Sequence, residues 1–337
     1  MRILMAMSGG VDSAAAATLL GRAGHTVEGC TMRLSDTERE KAEILRAAAS
    51  AEVLGIPHRV LDLRKEFQNE VVAPFIADYR AGKTPNPCIY CNAAIKFGAF
   101  FDYAMREGFD RIATGHYARA EGGRLFKAHD AVKDQSYVLY RLRREILERT
   151  LFPLGELTKA EARAIAEGAG LASARAEESQ DICFVPDGDY AAFLERASGA
   201  PLPRGHYIDS EGHILGEHAG ITHYTLGQHK GLGIALGRVR YVTHIDPLRN
   251  TVTLGDEADL YKKEARLFDL HLIDGERCLP FSAAVKLRYR HREVDCTVYP
   301  EAGGARLVFA EPQRAPTPGQ SAVLYDGNTV LGGGYVM

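Results

Sequence analysis

The sequence predicts an α/β protein: an N-terminal doubly wound parallel sheet, followed by a small central domain and a C-terminal β-barrel. Three observations point there. Up to about residue 190, strand-like apolar runs alternate with amphipathic helical ones, the pattern of a parallel sheet covered by helices. After Gly199 the texture changes, and Gly and Pro punctuate short segments through Gly255. From about Lys262 onward no helical period is present, and short alternating runs follow one another between turn residues, the spacing of a small barrel.

In the N-terminal part, residues 3–7, 27–32, 58–63 and 111–114 read as strands, while 14–20, 38–54, 66–79, 95–105 and 158–169 carry helical periodicity. A ligand of such a sheet sits beyond the carboxyl ends of its strands. In the central part, residues 238–245 and 251–254 flank Asp246-Pro247-Leu248-Arg249-Asn250 and read as a hairpin. In the last part, residues 283–291, 294–299, 306–309, 321–325 and 329–336 read as barrel strands.

The first strand runs directly into Ser8-Gly9-Gly10-Val11-Asp12-Ser13, and a helix is expected to start at Ser13. Two glycines let backbone N–H groups approach an anion, and the helix start adds orphan N–H groups and a positive dipole end. No Lys follows the glycines, so this is not the GxxxxGK[ST] phosphate loop, and GxGxxG fails as well. The stretch resembles the SGGxDS signature of the N-type ATP pyrophosphatases, which cleave ATP between the α and β phosphates. The plainer reading is a Ser- and Gly-rich turn, but strand, loop and helix stand in the order that a pyrophosphate site requires.

At 337 residues the chain exceeds the usual size of one core, so two or three domains are expected. A hydrophobic content of 46% with 25% charged residues is that of an ordinary globular protein. The net charge of -3 excludes a generally basic nucleic-acid-binding surface and leaves room for a local basic patch. The first apolar run reaches Gly9 too soon for a signal-peptide core, and no run approaches the roughly 18 apolar residues of a membrane span. A cytoplasmic protein without a membrane partner is the expectation.

Six cysteines in a chain without an export signal point to reduced, reactive or metal-bound thiols rather than a disulfide framework. Pro85-Asn86-Pro87-Cys88-Ile89-Tyr90-Cys91-Asn92 places a CxxC pair in a loop before the helical run 95–105, whose N-terminus would stabilise a thiolate. Cys183 lies in Ser179-Gln180-Asp181-Ile182-Cys183-Phe184. The spacing alone suits zinc, an iron-sulfur cluster or thiol redox chemistry. Cys30 and Cys296 sit in apolar strand-like runs and read as small core residues, and Cys278 gives no signal.

Taken together, these motifs resemble the tRNA-specific 2-thiouridylase family over nearly the whole chain, through residues 6–13, 84–97, 113–119, 133–139, 179–184, 224–233 and 317–323. The resemblance implies an adenine nucleotide alpha hydrolase-like adenylation and thiolation domain at 1–195, a central domain at 196–258 and a tRNA-gripping barrel at 259–337. It implies that ATP activates O2 of the wobble uridine, position 34, that a persulfide on Cys183 delivers sulfur to C2, and that Cys91 is the partner cysteine. Adenylation makes the oxygen a good leaving group and a low-pKa sulfur would attack the activated carbon. A disulfide between Cys91 and Cys183 would then release the thiolated base.

By the same resemblance Ala6, Met7, Ser8, Gly9, Gly10, Val11, Asp12 and Ser13 bind the phosphates of ATP, and Met32 and Gly115 contact its adenosine. Met32 at a strand end also suits a core, and Gly115 also suits a turn. Mg²⁺ is expected, because adjacent phosphates must be neutralised before attack; Asp12 is an indirect contributor and also suits a helix N-cap. Asn86, Pro87 and Cys88 match the segment that faces the target base, and Lys133, Asp134, Gln135, His116, Arg288, Tyr289 and Gln320 match tRNA-contacting positions. A His after a Gly turn also suits local hydrogen bonding. Lys286, Arg288, Arg290 and Arg292 recur every second residue, which on a strand puts four cations on one face and Tyr289 on the other, toward the core. The partners implied are tRNA and a sulfur-donor protein, either a persulfide relay or a cysteine desulfurase.

Two positions depart from the family pattern. His229 stands where Arg is usual. Cys88 stands where many members have Asp, and a thiol does not replace a carboxylate base. The rival arrangement for the same reaction is a [4Fe-4S] cluster held by Cys88, Cys91 and Cys183. Alternatives of another class are an adenylating ligase or amidotransferase for a small metabolite, whose members lack the paired cysteine motifs, and a non-catalytic RNA-binding protein with a vestigial nucleotide site.

Overall fold

The computed structural model describes all residues except 176–181, 186, 187, 200 and 276. Strands β1 (Arg2–Ala6), β2 (Thr26–Arg33), β3 (His58–Asp62) and β4 (Arg111–Ala113) form where they are expected. After a short hairpin of β5 (Arg119–Glu121) and β6 (Arg124–Phe126), β7 (Thr150–Leu151) completes a five-stranded sheet in the order β3-β2-β1-β4-β7. Every pair in it is parallel. Buried on both faces, β1 is apolar through Ile3, Leu4 and Met5, each fully enclosed.

The helices are α1 (Val11–Arg22), α2 (Glu38–Val53), α3 (Arg64–Phe67), α4 (Ala73–Arg80), α5 (Pro87–Tyr90), α6 (Phe100–Arg106), α7 (Arg144–Glu148), α8 (Lys159–Gly168) and α9 (Tyr190–Ser198). Two stretches of π-helix, Gln68–Val72 and Cys91–Ala99, join α3 to α4 and α5 to α6. Helix α8 begins with a capping box in which Thr158 and Glu161 satisfy each other's backbone N–H groups.

The central part is a four-stranded sheet of β8 (Gly205–Ile208), β9 (Ile214–His218), β10 (Tyr241–Asp246) and β11 (Thr251–Gly255), in the order β10-β11-β8-β9. The expected hairpin is β10 with β11. Its core is Tyr207, Val242, Val252 and Leu254.

Strands β12 (Tyr261–Leu272), β13 (Phe281–Lys286), β14 (Val294–Glu301), β15 (Gly304–Arg314), β16 (Ser321–Asp326) and β17 (Thr329–Val336) make the barrel. The order β12-β15-β14-β13-β16-β17 closes because β12 also pairs with β17. The β5–β6 hairpin extends this sheet from β17, so a piece of the N-terminal half pairs with the barrel. The two share a core: Leu4, Phe97 and Ile112 pack in one cluster with Val323, Tyr325 and Val330. Tyr137 donates its hydroxyl to the Ser321 carbonyl at 2.7 Å, and the Tyr140 and Ser321 hydroxyls are 3.0 Å apart.

One strand is shorter than its sequence suggests. The run 283–291 stays on the sheet only to Lys286, and residues 287–293 turn away from it. The His291 N–H donates to the Arg288 carbonyl, which closes that turn. The alternation at Lys286, Arg288, Arg290 and Arg292 is therefore not a one-faced ladder.

Candidate active site

The Ser8 to Ser13 loop lies at the carboxyl end of β1, between it and α1, with β4 beside it. Ser13 ties the loop shut: its hydroxyl donates to the Gly10 carbonyl at 3.0 Å and accepts from the Ser8 N–H at 3.2 Å. Gly9 adopts φ +75°, and a Cβ there would lie 2.4 Å from the Glu43 carbonyl of α2. The helix begins at Val11 rather than Ser13, with Gly10 at its N-cap.

Asp12 is thus in the first helical turn and caps nothing. Its carboxylate instead accepts from Lys159 Nζ at 2.8 Å on both oxygens and from the Tyr117 hydroxyl at 2.7 Å. Lys159 is the first residue of α8, where the dipole disfavours a cation, and the Asp12 carboxylate offsets that. Gly115 crosses the loop from the end of β4. A Cβ on it would sit 2.9 Å from the Ser13 nitrogen and 3.0 Å from the Asp12 carbonyl carbon, so only Gly permits this approach. Met32 lies near the end of β2, partly buried against the main core. Ala6, Met7, Val11 and Ser13 are buried, which leaves Ser8 and the backbone of Gly10 as the more open parts of the loop.

The three motif cysteines surround the start of a second helical segment. Asn86 caps it by accepting from the Cys88 N–H at 3.1 Å, and Pro87 takes the first position, where a missing N–H costs nothing. The CxxC pair therefore belongs to the helix and not to a preceding loop, a start that the cap and proline signal. Cys88 is exposed, Cys91 is half-buried and opens the π-helical stretch, and Cys183 is exposed. Phe184 anchors Cys183 through edge contacts with Phe67 and Phe75. Ser179, Gln180 and Asp181 of the same motif lie outside the described residues.

Lys96, half-buried on that π-helical stretch, is the functional neighbour that the sequence reading missed. Its charge lowers the pKa of all three thiols, yet burial outweighs it in each. Cys91 is pushed up to about 12 by burial, with Lys96 opposing and the charges of Cys183 and Cys88 adding to the rise. Cys88 and Cys183 show surface to solvent, but the protein packed around them leaves little bulk water, and both thiols are raised. The resting groups are thiols, so the nearby helix start does not hold any of the three as a thiolate. The spacing of Lys96 five residues beyond Cys91 is the signal available in sequence, since a π-helix brings such positions to one side.

Lys96 also lies 3.4 Å from His116 Nε2, whose Nδ1 is 2.8 Å from the Thr114 hydroxyl. His116 is buried against Phe97 and Phe152, and burial holds its pKa well below the usual value. Asp134 is buried as well, accepting from the Ala128 and Ser136 N–H groups and the Ser136 hydroxyl. Gln135 accepts from the Tyr117 N–H at 2.9 Å, and Lys133 is half-buried beside it.

Tyr289 does not turn into a core. It is exposed, stacks edge-on to Tyr137 and donates its hydroxyl to the Asp134 carbonyl at 3.1 Å. Arg288, Arg290 and Arg292 are exposed on the turn around it, whereas Lys286 faces Glu293 and Asp134 at 3.8 and 4.0 Å. Gln320 donates to the Thr84 carbonyl at 2.6 Å, and the Thr84 N–H donates to the Pro318 carbonyl at 2.9 Å. The barrel thereby clamps the segment that leads into Asn86, Pro87 and Cys88.

The residues fit the two implied metal groups unequally. A Mg²⁺ held chiefly by phosphates needs one or two carboxylates, and Asp12 supplies one at the loop. Among the described residues, no three His, Cys, Asp or Glu side chains are gathered to hold a metal ion. Cys88, Cys91 and Cys183 therefore do not form a cluster cradle as they stand. No helix among the described residues is long and apolar enough to cross a membrane.

Three family models match the chain: one described as a tRNA methyl transferase HUP domain over residues 1–187, a tRNA methyl transferase PRC-barrel domain over 191–256, and an Aminomethyltransferase beta-barrel domain over 262–336. The tRNA-specific 2-thiouridylase MnmA of Moorella thermoacetica is 47% identical over 353 residues, covering 99% of this chain and 98% of that protein. Its namesake from Acetivibrio thermocellus is 42% identical over 354 residues, covering 99% of each. Among solved structures, the U34-tRNA thiolase NcsA from Methanococcus maripaludis with its [4Fe-4S] cluster covers 58% of this chain and 66% of its own at 18% identity and TM-score 0.38, too distant a likeness to bear on ligand or mechanism.

Proposed function

The chain belongs to the tRNA-specific 2-thiouridylase family, and from that premise we propose that it replaces O2 of the tRNA wobble uridine, position 34, with sulfur at the expense of ATP. The domain descriptions mention methyl transfer, but three cysteines beside a phosphate loop are equipment for sulfur transfer. The observation that carries the reading is the pair Gly115 and His116. Gly115 lies against the Ser8 to Ser13 loop, and the next residue contacts Lys96, whose charge reaches all three cysteines. This supports a reading in which activation and sulfur delivery meet across one peptide unit. Glu43 makes a second bridge, with its carbonyl against Gly9 and its charge acting on Cys183.

In this reading the N–H groups of residues 8–13 hold the ATP phosphates, Gly115 and Met32 border the adenosine, and Asp12 with Lys159 organises charge around the departing pyrophosphate. Bound Mg²⁺ would supply neutralisation of adjacent phosphates there. The uridine O2 attacks the α phosphate and pyrophosphate leaves. The terminal sulfur of a Cys183 persulfide attacks C2, and O2 departs with AMP. Cys91, after losing its proton, attacks Cys183 Sγ, so that a Cys91–Cys183 disulfide forms and the thiolated base is released. Because the three cysteines do not form a cluster cradle, no step is routed through iron and sulfide.

Asn86, Pro87 and Cys88 face the target base in this proposal. Arg288, Tyr289, Lys133, Gln135 and Gln320 border the tRNA, with buried His116 and Asp134 supporting that surface from beneath. The domains are taken as 1–195, 196–258 and 259–337, and the sulfur arrives on a donor protein that carries a persulfide. ATP–pyrophosphate exchange with and without tRNA tests the activation half: stimulation by tRNA is expected, and a response only to a small metabolite would favour a ligase instead.

A further inference from the structure

Cys88 is an exposed residue three positions before the half-buried Cys91, at the start of one helical segment. We propose that Cys88 and Cys91 form a dithiol–disulfide pair that takes over the Cys91–Cys183 disulfide after each sulfur transfer, so that Cys183 is freed for reloading. This rests on the sulfur-transfer reading above.

Four observations carry the proposal. Cys88 and Cys91 stand three residues apart at the start of a helical segment, and side chains at that spacing have Cβ atoms about 5–6 Å apart, close enough for modest adjustment to reach disulfide geometry. Their burial is unequal: Cys88 is exposed and Cys91 half-buried, as in a redox pair whose outer thiol meets the reductant while the inner one holds the bond. Cys91 and Phe184, the residue next to Cys183, pack against one core cluster, and Cys183 and Cys88 both act electrostatically on Cys91, so the three cysteines belong to one region of the fold. Finally, Asn86 and Pro87 fix the turn on which Cys88 rides, and the barrel clamps that turn through Gln320 and Thr84.

The exchange balances without a further co-reactant. Cys88 loses its proton and its sulfur attacks Cys91 Sγ. The Cys88–Cys91 bond forms, the Cys91–Cys183 bond breaks, and the electron pair leaves on Cys183 Sγ, which takes up a proton. The two electrons that sulfur transfer removed from the thiols are then restored by a dithiol reductant in solution, which attacks the exposed Cys88 sulfur. The half-buried Cys91 need not be approached directly.

Two measurements on the full-length protein test this. In the first, the protein is equilibrated in buffers of oxidised and reduced dithiothreitol, quenched in acid with alkylation, and its disulfides are mapped by peptide mass spectrometry. Cys88–Cys91 is expected to exceed Cys91–Cys183 by about ten to one, a difference of about 30 mV for a two-electron couple. Cys88→Ser should shift the whole signal to Cys91–Cys183. A wild-type map dominated by Cys91–Cys183, or lacking any disulfide at Cys88, overturns the proposal. In the second, the same map is read after turnover with ATP, tRNA and a persulfide donor, alongside the yield of 2-thiouridine. Absence of 2-thiouridine in every arm counts against the proposed function, and the buffer titration then decides the exchange by itself.

Discussion

The ammonium of Lys159 reaches both carboxylate oxygens of Asp12 at 2.8 Å, which joins the first turn of α1 to the first residue of α8 beside the Ser8 to Ser13 loop. Lys159 is the more enclosed partner, with its side chain 16% exposed against 34% for Asp12. In the proposed reaction this pair supplies one cation and one carboxylate to a pyrophosphate and its Mg²⁺. Charge-assisted hydrogen bonds of this kind contribute about 1.5–3 kcal/mol, so Lys159→Met and Asp12→Asn should each lower tRNA-stimulated ATP–pyrophosphate exchange by about 10–100-fold. Lys159→Arg should recover part of the loss. Unchanged exchange in Lys159→Met would remove the pair from the account.

Gly115 has backbone rather than flexible side chain within 2.9–3.2 Å of its absent Cβ. Gly115→Ala must therefore move either β4 or the loop, and misplacement by about 1 Å can cost on the order of 100-fold in rate. ATP affinity measured by calorimetry should fall about tenfold or more, with circular dichroism unchanged. Gly9→Ala combines a left-handed φ, costing about 1–2 kcal/mol, with a clash against the Glu43 carbonyl, and should lower the melting temperature as well. A Gly115→Ala protein of normal ATP affinity would contradict the close approach.

The thiols titrate upward, and the sign of the pH effect follows. Below about 12 the thiolate fraction of Cys91 rises about tenfold per pH unit, and the thiolate is the nucleophile. Alkylation of Cys91 by iodoacetamide should climb from pH 7 to 9 without a plateau. Lys96→Met removes the charge that lowers all three thiols, so their alkylation should slow further and thiolation with it. A plateau near neutral pH would show that the thiol is already ionised and that burial does not dominate.

Arg288, Arg290 and Arg292 are exposed on the turn beside Tyr289, while Lys286 faces Glu293 and Asp134. Each arginine that meets a phosphate adds about 0.7–0.9 to the slope of log affinity against log salt. Arg288→Ala should lower the tRNA-binding slope by about that much, and Lys286→Ala should leave it nearly unchanged. Equal slopes for the wild type and Arg288→Ala would place the tRNA elsewhere.

Much of this was legible in sequence because it depends on local periodicity. The parallel sheet, the β10–β11 hairpin and most barrel strands announce themselves through alternation and turn residues, and the Ser8 to Ser13 loop through its position between strand and helix. What was misread depends on partners far along the chain. The period-2 cations at 286–292 look like a strand, but pairing ends at Lys286 and the turn packs Tyr289 against Tyr137. Asp12 looks like a cap until Lys159 is brought to it from 147 residues away. No periodicity announces that β5 and β6 join the barrel sheet, or that burial outweighs Lys96 at the cysteines.

The most direct measurement is transfer of labelled sulfur from a Cys183 persulfide into tRNA in the presence and absence of ATP, with the product nucleoside identified by mass spectrometry. The account predicts ATP-dependent label in 2-thiouridine at position 34, lost in Cys183→Ser while tRNA binding persists. Label that enters tRNA at the normal rate in Cys183→Ser, or without ATP, would contradict it.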